Sequence, residues 1–100
     1  MKVMLLTKGY VAIISKSDWK KVRKYKWHVH TSKGSKRKHG FPYARTTVKG
    51  KKVYLHRFIF DNLTKEYEVD HINHQTLDCR RENLRIVTPE ENKKLKRKKL

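Results

Sequence analysis

Residues 69–92 read VDHINHQTLDCRRENLRIVTPEEN. Asp70 and His71 are adjacent. Asn83 stands thirteen positions after Asp70, and Asn92 twenty-two after it. One carboxylate and one amide oxygen are hard ligands, which suit Mg²⁺ (or Mn²⁺) better than Zn²⁺. An imidazole that titrates at roughly 6.5 can take a proton from water near neutral pH. Together these groups suit metal-assisted hydrolysis. An Asp-His pair alone is ordinary turn chemistry, and the two spaced asparagines give it weight.

The elements that must position this set can be read around it. "YEVDHI" and "LRIVT" are short strands by their β-branched and aromatic content. The linker "NHQTLDCRREN" is too polar to supply a core element. The first strand is expected to end near His71, so that the turn brings Asp70 and His71 to one site. Thr88, Pro89 and Glu91 form a T-x-x-E capping box with proline at the first helical position. Asn92 then falls in the first turn of a helix, where it can point back at the hairpin. Lys96 and Lys99 lie at i+4 and i+7 on nearly the same stripe.

Upstream, "KVMLLTKGYVAIIS" reads as a hairpin around Lys8-Gly9, and "SDWKKVRKY" as a short helix with Ser17 as N-cap. "KWHVH" alternates, with Trp27 and Val29 on one face. The basic stretch "TSKGSKRKHG" is a loop. Strands Phe41–Val48 and Lys51–Leu55 meet across Lys49-Gly50, and a short helix is expected after His56. Trp19 and Trp27 read as core. The fold class is α+β: a small, mostly antiparallel N-terminal β region with a short helix, then strand, loop, strand and helix.

The charge balance points to a partner. The chain has 100 residues, 36% of them hydrophobic, and a net charge of +18 from 27 Lys and Arg against 9 Asp and Glu. That suits one small domain with a thin core. Lysines are almost never fully buried, so the surface must be strongly basic and attracts a polyanion. Residues 33–57 hold no acid, while eight acids lie in residues 58–92. An acidic pocket in a basic surface suits a cation site among phosphate contacts. The lone Cys79 permits no disulfide within the chain, and the usual Cys-rich zinc patterns are absent. Neither a signal peptide nor a membrane-spanning run is apparent, so a cytoplasmic setting is expected.

The stretch from Val69 to Asn92 resembles the HNH nucleases, especially the HNH homing endonucleases of phage and bacterial introns. Val69, Asp70, His71, Ile72, Asn73, Asp78, Arg80, Asn83, Leu84, Arg85, Thr88 and Asn92 all match the family pattern without gaps. His74 and Cys79 depart from it, standing where Gly and Asn are common. The upstream segment resembles, more loosely, the β-rich part that often precedes this motif. The resemblance implies one HNH domain over residues 1–100, with a basic β-rich DNA-binding portion over 1–57 and a ββα-metal motif over 58–100. It implies His71 as general base, Asp70 and Asn92 as ligands of Mg²⁺ or Mn²⁺, and Asn83 as the residue that ties the loop. Double-stranded DNA is the expected partner of a monomer or homodimer in a phage or bacterial host. Arg45, Lys52, Arg57, Arg80, Arg81, Arg85, Lys96 and Lys99 are its expected contacts. The competing function is a non-catalytic basic module that binds RNA or DNA. His56 is read equally as a phosphate contact or as an internal hydrogen-bonding group.

Overall fold

Two apolar runs around a turn begin the chain. In the computed structural model, β1 (Lys2–Leu5) pairs antiparallel with β2 (Val11–Ile14), from Lys2↔Ile14 to Leu5↔Val11. The structure describes residues 1–31, 42–61 and 63–97, without the side chains of Lys96 and Arg97. The basic loop, Phe41, Lys99 and the side chain of Lys96 therefore lie outside the described residues.

After β2 a 3₁₀ turn (Lys16–Asp18) leads into α1 (Trp19–Val22). Ser17 is not the cap expected from the sequence. Ser15 precedes the turn, and its Oγ accepts from the Arg81 backbone N–H at 2.9 Å. The serine is used to hold a distant loop rather than to cap a helix.

The second sheet holds β3 (His28–His30), β4 (Tyr43–Val48) and β5 (Lys51–Tyr54), all antiparallel. Lys49 (φ 50°) and Gly50 (φ 80°) both lie in the left-handed region, as a two-residue hairpin turn matched to strand twist requires. Ala44 is buried and Val29 packs against the core. By alternation, the other face carries His28, Tyr43, Arg45, Lys52 and Tyr54.

Helix α2 (Leu55–Phe58) begins two residues earlier than the sequence suggested and includes His56. Leu55 and Ile59 explain this start. They are four residues apart, share one helix face, and are both wholly buried.

The third sheet pairs β6 (Glu68–His71) with β8 (Leu84–Val87). Between them the polar linker does supply a core element. Strand β7 (Asp78–Cys79) runs parallel to β2, with Ile13↔Asp78 and Ile14↔Cys79 in register. Burial of Asp78 is tolerated because Arg80 and Asn73 hydrogen-bond its carboxylate. Helix α3 (Pro89–Arg97) follows with the capping box formed in both directions. Thr88 N donates to Glu91 Oε1 at 2.9 Å, and Glu91 N donates to Thr88 Oγ1 at 3.2 Å. The architecture is α+β.

One core serves both portions of the chain. Ala12, Ile14, Val22 and Trp27 from the first portion pack with Ile59, Val69, Cys79 and Leu84 from the second. The two portions are also clasped by charge. Asp18 is 2% exposed, and Arg81 grips it with contacts of 2.7–3.1 Å. The same guanidinium donates to Ile59 O and stacks on Phe60. Arg81→Ala strands a buried carboxylate. It should lower stability by about 2 kcal/mol, less than for a fully buried pair because Arg81 is half exposed. Urea denaturation checks this. A change below ~0.5 kcal/mol, the range of an ordinary surface substitution, would contradict it.

Candidate active site

The site is built on the β6–β8 hairpin and the connection between its strands. Asn83, 5% exposed, organises that connection with one side chain. Its Nδ2 donates to Asp78 O at 2.8 Å, and its Oδ1 accepts from Asn73 N at 2.9 Å. Asn73 in turn donates from Nδ2 to Asp78 Oδ2 and accepts from Gln75 N. Arg80 holds both oxygens of Asp78 at 2.7 Å. Those bonds keep the Asp78 carboxyl below the usual carboxylate range, against the opposing effect of burial. His74 occupies a left-handed conformation (φ 65°) in this connection, the region that glycine enters without strain.

The ladder runs on through His71, which pairs with Leu84, so the strand does not end before it. Neighbouring side chains therefore diverge. Asp70 turns to Arg85, whose Nε and Nη2 both approach Oδ2, at 2.9 and 2.8 Å. Among the described residues Oδ1 of Asp70 has no donor. Glu68 is two residues back on the same face. Its Oε2 accepts from Asn92 Nδ2 at 2.7 Å. Asn92 is buried, and its Oδ1 is the one buried side-chain oxygen or nitrogen without a partner among the described residues. Glu68 was missed from the sequence, although alternation from Asp70 in "EVDH" places it on this face.

His71 turns the other way and is 6% exposed. Its ring lies 5.1 Å from that of His56 and 6.2 Å from that of Tyr43. Its Nε2 is 3.8 Å from Cys79 Sγ. Burial lowers the His71 pKa, and the charges of Asp70 and Asp78 partly restore it. His71 is neutral at physiological pH, as a proton acceptor must be. His56 is pushed down to about 3, by burial first and then by the charges of His71 and Arg57. It is an uncharged packing partner of His71.

The ring cluster continues outward. Tyr43 contacts both Tyr54 and His56, and Tyr54 contacts His30. Arg45 lies over the Tyr54 ring at 5.9 Å. Burial and then the charges of Arg45 and Lys52 lower the His30 pKa, so a basic field covers this sheet face. The expected phosphate contacts thus divide. Arg45 and Lys52 face outward from the sheet, without a carboxylate partner among the described residues. Arg57 donates to Tyr67 O and Thr64 O, Arg80 to Asp78, Arg81 to Asp18, and Arg85 to Asp70.

A cation would find a partial donor set here. No group of three His, Cys, Asp or Glu side chains is gathered among the described residues. Mg²⁺ does not need one, because it keeps waters and takes substrate phosphate oxygens. The unpaired Asn92 Oδ1 and the open Asp70 Oδ1 fit that mode of binding.

Residues 53–94 match the HNH endonuclease family. This part of the chain is an HNH endonuclease domain. An uncharacterized HNH endonuclease of Acanthamoeba polyphaga mimivirus is 34% identical over 90 residues, which is 85% of this chain and 43% of that protein. The chain thus spans less than half the length of the curated relative it matches. That relative belongs to a giant virus, whereas the sequence pattern suggested phage and bacterial introns. No solved structure matches the chain. Members of the HNH family generally depend on a divalent metal. No helix among the described residues is long and apolar enough to cross a membrane.

Two imidazoles of the HNH domain, the buried His71 and the partly buried His56, make its stability depend on pH. Their folded pKa values lie below the unfolded value of roughly 6.5, so the unfolded chain takes up protons first. Stability should be complete above that value and fall as pH drops below it. For His56 the loss continues toward pH 3. The slope should approach roughly 1.4 kcal/mol per pH unit for each proton. Urea midpoints between neutral and mildly acid pH measure it. His56→Phe should flatten the slope, and an unchanged slope would remove His56 from the account.

Proposed function

We propose that the chain is a Mg²⁺-dependent DNA endonuclease in which His71 is the general base and Asp70 and Asn92 hold the metal. The observation that carries this is the unpaired, buried Asn92 Oδ1 on the hairpin face that bears Asp70. An unpaired buried oxygen of this kind costs about 1–3 kcal/mol, and a bound cation would remove that penalty. The metal, when bound, would polarise the scissile phosphate and stabilise the leaving 3′ oxygen. His71 takes the proton of the attacking water. Asp70 and His71 lie on opposite faces of β6, whose outer edge pairs with no strand among the described residues. A phosphate lying along that edge is reached from both sides.

The DNA lies across the outward face of the second sheet in this reading. Arg45 and Lys52 meet its phosphates, and the ring cluster Tyr54, Tyr43 and His56 runs from there to His71. Double-stranded DNA fits a contact surface that holds phosphates at one side of the site and presents α3 at the other.

Cleavage of supercoiled plasmid tests the chemistry. The protein should nick or linearise it with Mg²⁺ and stop when EDTA is added. His71→Ala should slow cleavage by roughly 10²–10⁴-fold while DNA binding stays near wild type. Full activity in that variant, or cleavage indifferent to EDTA, would sink the assignment. The contact surface is tested by salt. Replacing Arg45 and Lys52 together with Ala should flatten the salt dependence of DNA binding by up to about 2 in slope, since each phosphate contact contributes about 0.9. Arg80→Ala and Arg85→Ala, whose guanidinium groups are engaged within the chain, should change it less. Equal flattening in all variants would place the DNA elsewhere.

A further inference from the structure

Cys79 stands where the family commonly has Asn, and its Sγ lies against the imidazole of His71. The position is fixed from two sides. Strand β7 is in register with β2 at Ile14↔Cys79, and Ile13 N donates to Leu77 O at 2.8 Å. The β6–β8 ladder and the His56 ring hold His71 opposite. Two contacts of the sulfur remain: Nε2 of His71 at 3.8 Å, and the backbone oxygen of Thr76 at 3.9 Å.

A thiol has one hydrogen, and a carbonyl oxygen can only accept. The contact with Thr76 O therefore uses the S–H. The sulfur is left as an acceptor, so the hydrogen in the other contact must come from Nε2. A neutral imidazole carries one N–H, which puts the lone pair on Nδ1. The reverse arrangement, with S–H donating to Nε2, serves only one of the two contacts. Burial pushes the Cys79 thiol up to about 12, so the sulfur keeps its hydrogen throughout the neutral range. Nδ1 has no hydrogen-bond partner among the described residues, so it is the ring nitrogen left for a water.

We propose that Cys79 is a positioning residue that holds His71 in the Nε2–H tautomer, through a relay from Nε2–H to Sγ and from S–H to Thr76 O, and so aims the basic Nδ1 at the attacking water. The inference rests on His71 as general base. In the step it serves, an O–H bond of water breaks, its proton bonds to Nδ1, and the water oxygen bonds to phosphorus as the 3′ oxygen leaves. Cys79 neither gains nor loses a proton. The sulfur is weakly polar and buried, which suits a contact that must fix a ring without competing for its proton.

The tautomer can be read directly by long-range ¹H–¹⁵N correlation in ¹⁵N-histidine-labelled protein, at about pH 8, above the usual imidazole range. Wild-type His71 should be the Nε2–H form. Cys79→Ala should mix the two tautomers and slow plasmid cleavage by roughly two- to tenfold, the effect of one lost hydrogen bond, with DNA binding unchanged. Cys79→Ser, whose hydroxyl can both accept and donate, should restore the Nε2–H form and most of the rate. An Nδ1–H tautomer in the wild-type protein overturns the relay even if the variants fold poorly. So does an unaltered tautomer in Cys79→Ala. The spectrum reports the relay without reference to cleavage, so an active His71→Ala protein, which would remove the general base, is a separate result.

Discussion

The buried side chain of Asn83 is the constraint on which the site depends. The strands of the β6–β8 hairpin are joined by residues 72–83, far longer than the usual hairpin loop of about 2–5 residues. A free connection of that length would not hold Asp78 and Cys79 in one place. Asn83 ties it twice, donating to Asp78 O and accepting from Asn73 N. An aspartate could accept but not donate, and a leucine could do neither. Once the loop is tied, β7 can lie beside β2 and carry Cys79 to His71. The N-terminal hairpin is in this way part of the wall of the site.

Charge is arranged to the same end. The acids of residues 58–92 do not form an open anionic pocket. Asp78 is held by Arg80, and Asp70 by Arg85 through a single oxygen. Asp18, from the first portion, takes Arg81. Intrachain pairing occupies the arginines nearest the hairpin and leaves the sheet cations to solvent. What remains beside the hairpin are two oxygens without donors among the described residues, Asp70 Oδ1 and Asn92 Oδ1. Their chemistry is that of hard-cation ligands.

Local signals made much of the fold legible. The Thr88–Glu91 box, the Lys49-Gly50 turn and the Lys8-Gly9 hairpin each depend on residues within a few positions of one another. Strand β7 was hidden because its partner is β2, more than sixty residues away, and because its two residues are an acid and a cysteine. Asp78 is buried only by virtue of Arg80 and Asn73. His56 was ambiguous for a similar reason. Its neutral, packed state comes from the ring of His71 and from burial in the fold. At the site, the spacing of Asp70, His71, Asn83 and Asn92 drew attention to them, and their roles came from the resemblance to the HNH pattern. Spacing did not show that Asp70 and His71 diverge across β6, since that follows from how far the ladder runs. Glu68 was within reach of period-two alternation.

The central claim is that the Asp70 and Asn92 oxygens meet at a divalent cation. Titration with Mn²⁺ while recording ¹H–¹⁵N spectra tests it most directly, because the paramagnetic ion broadens the signals nearest to it. The side-chain amide of Asn92 and the backbone amides of Asp70 and His71 should broaden first, and excess Mg²⁺ should restore them. Broadening that begins elsewhere, or that persists unchanged in Asn92→Ala, would contradict the account.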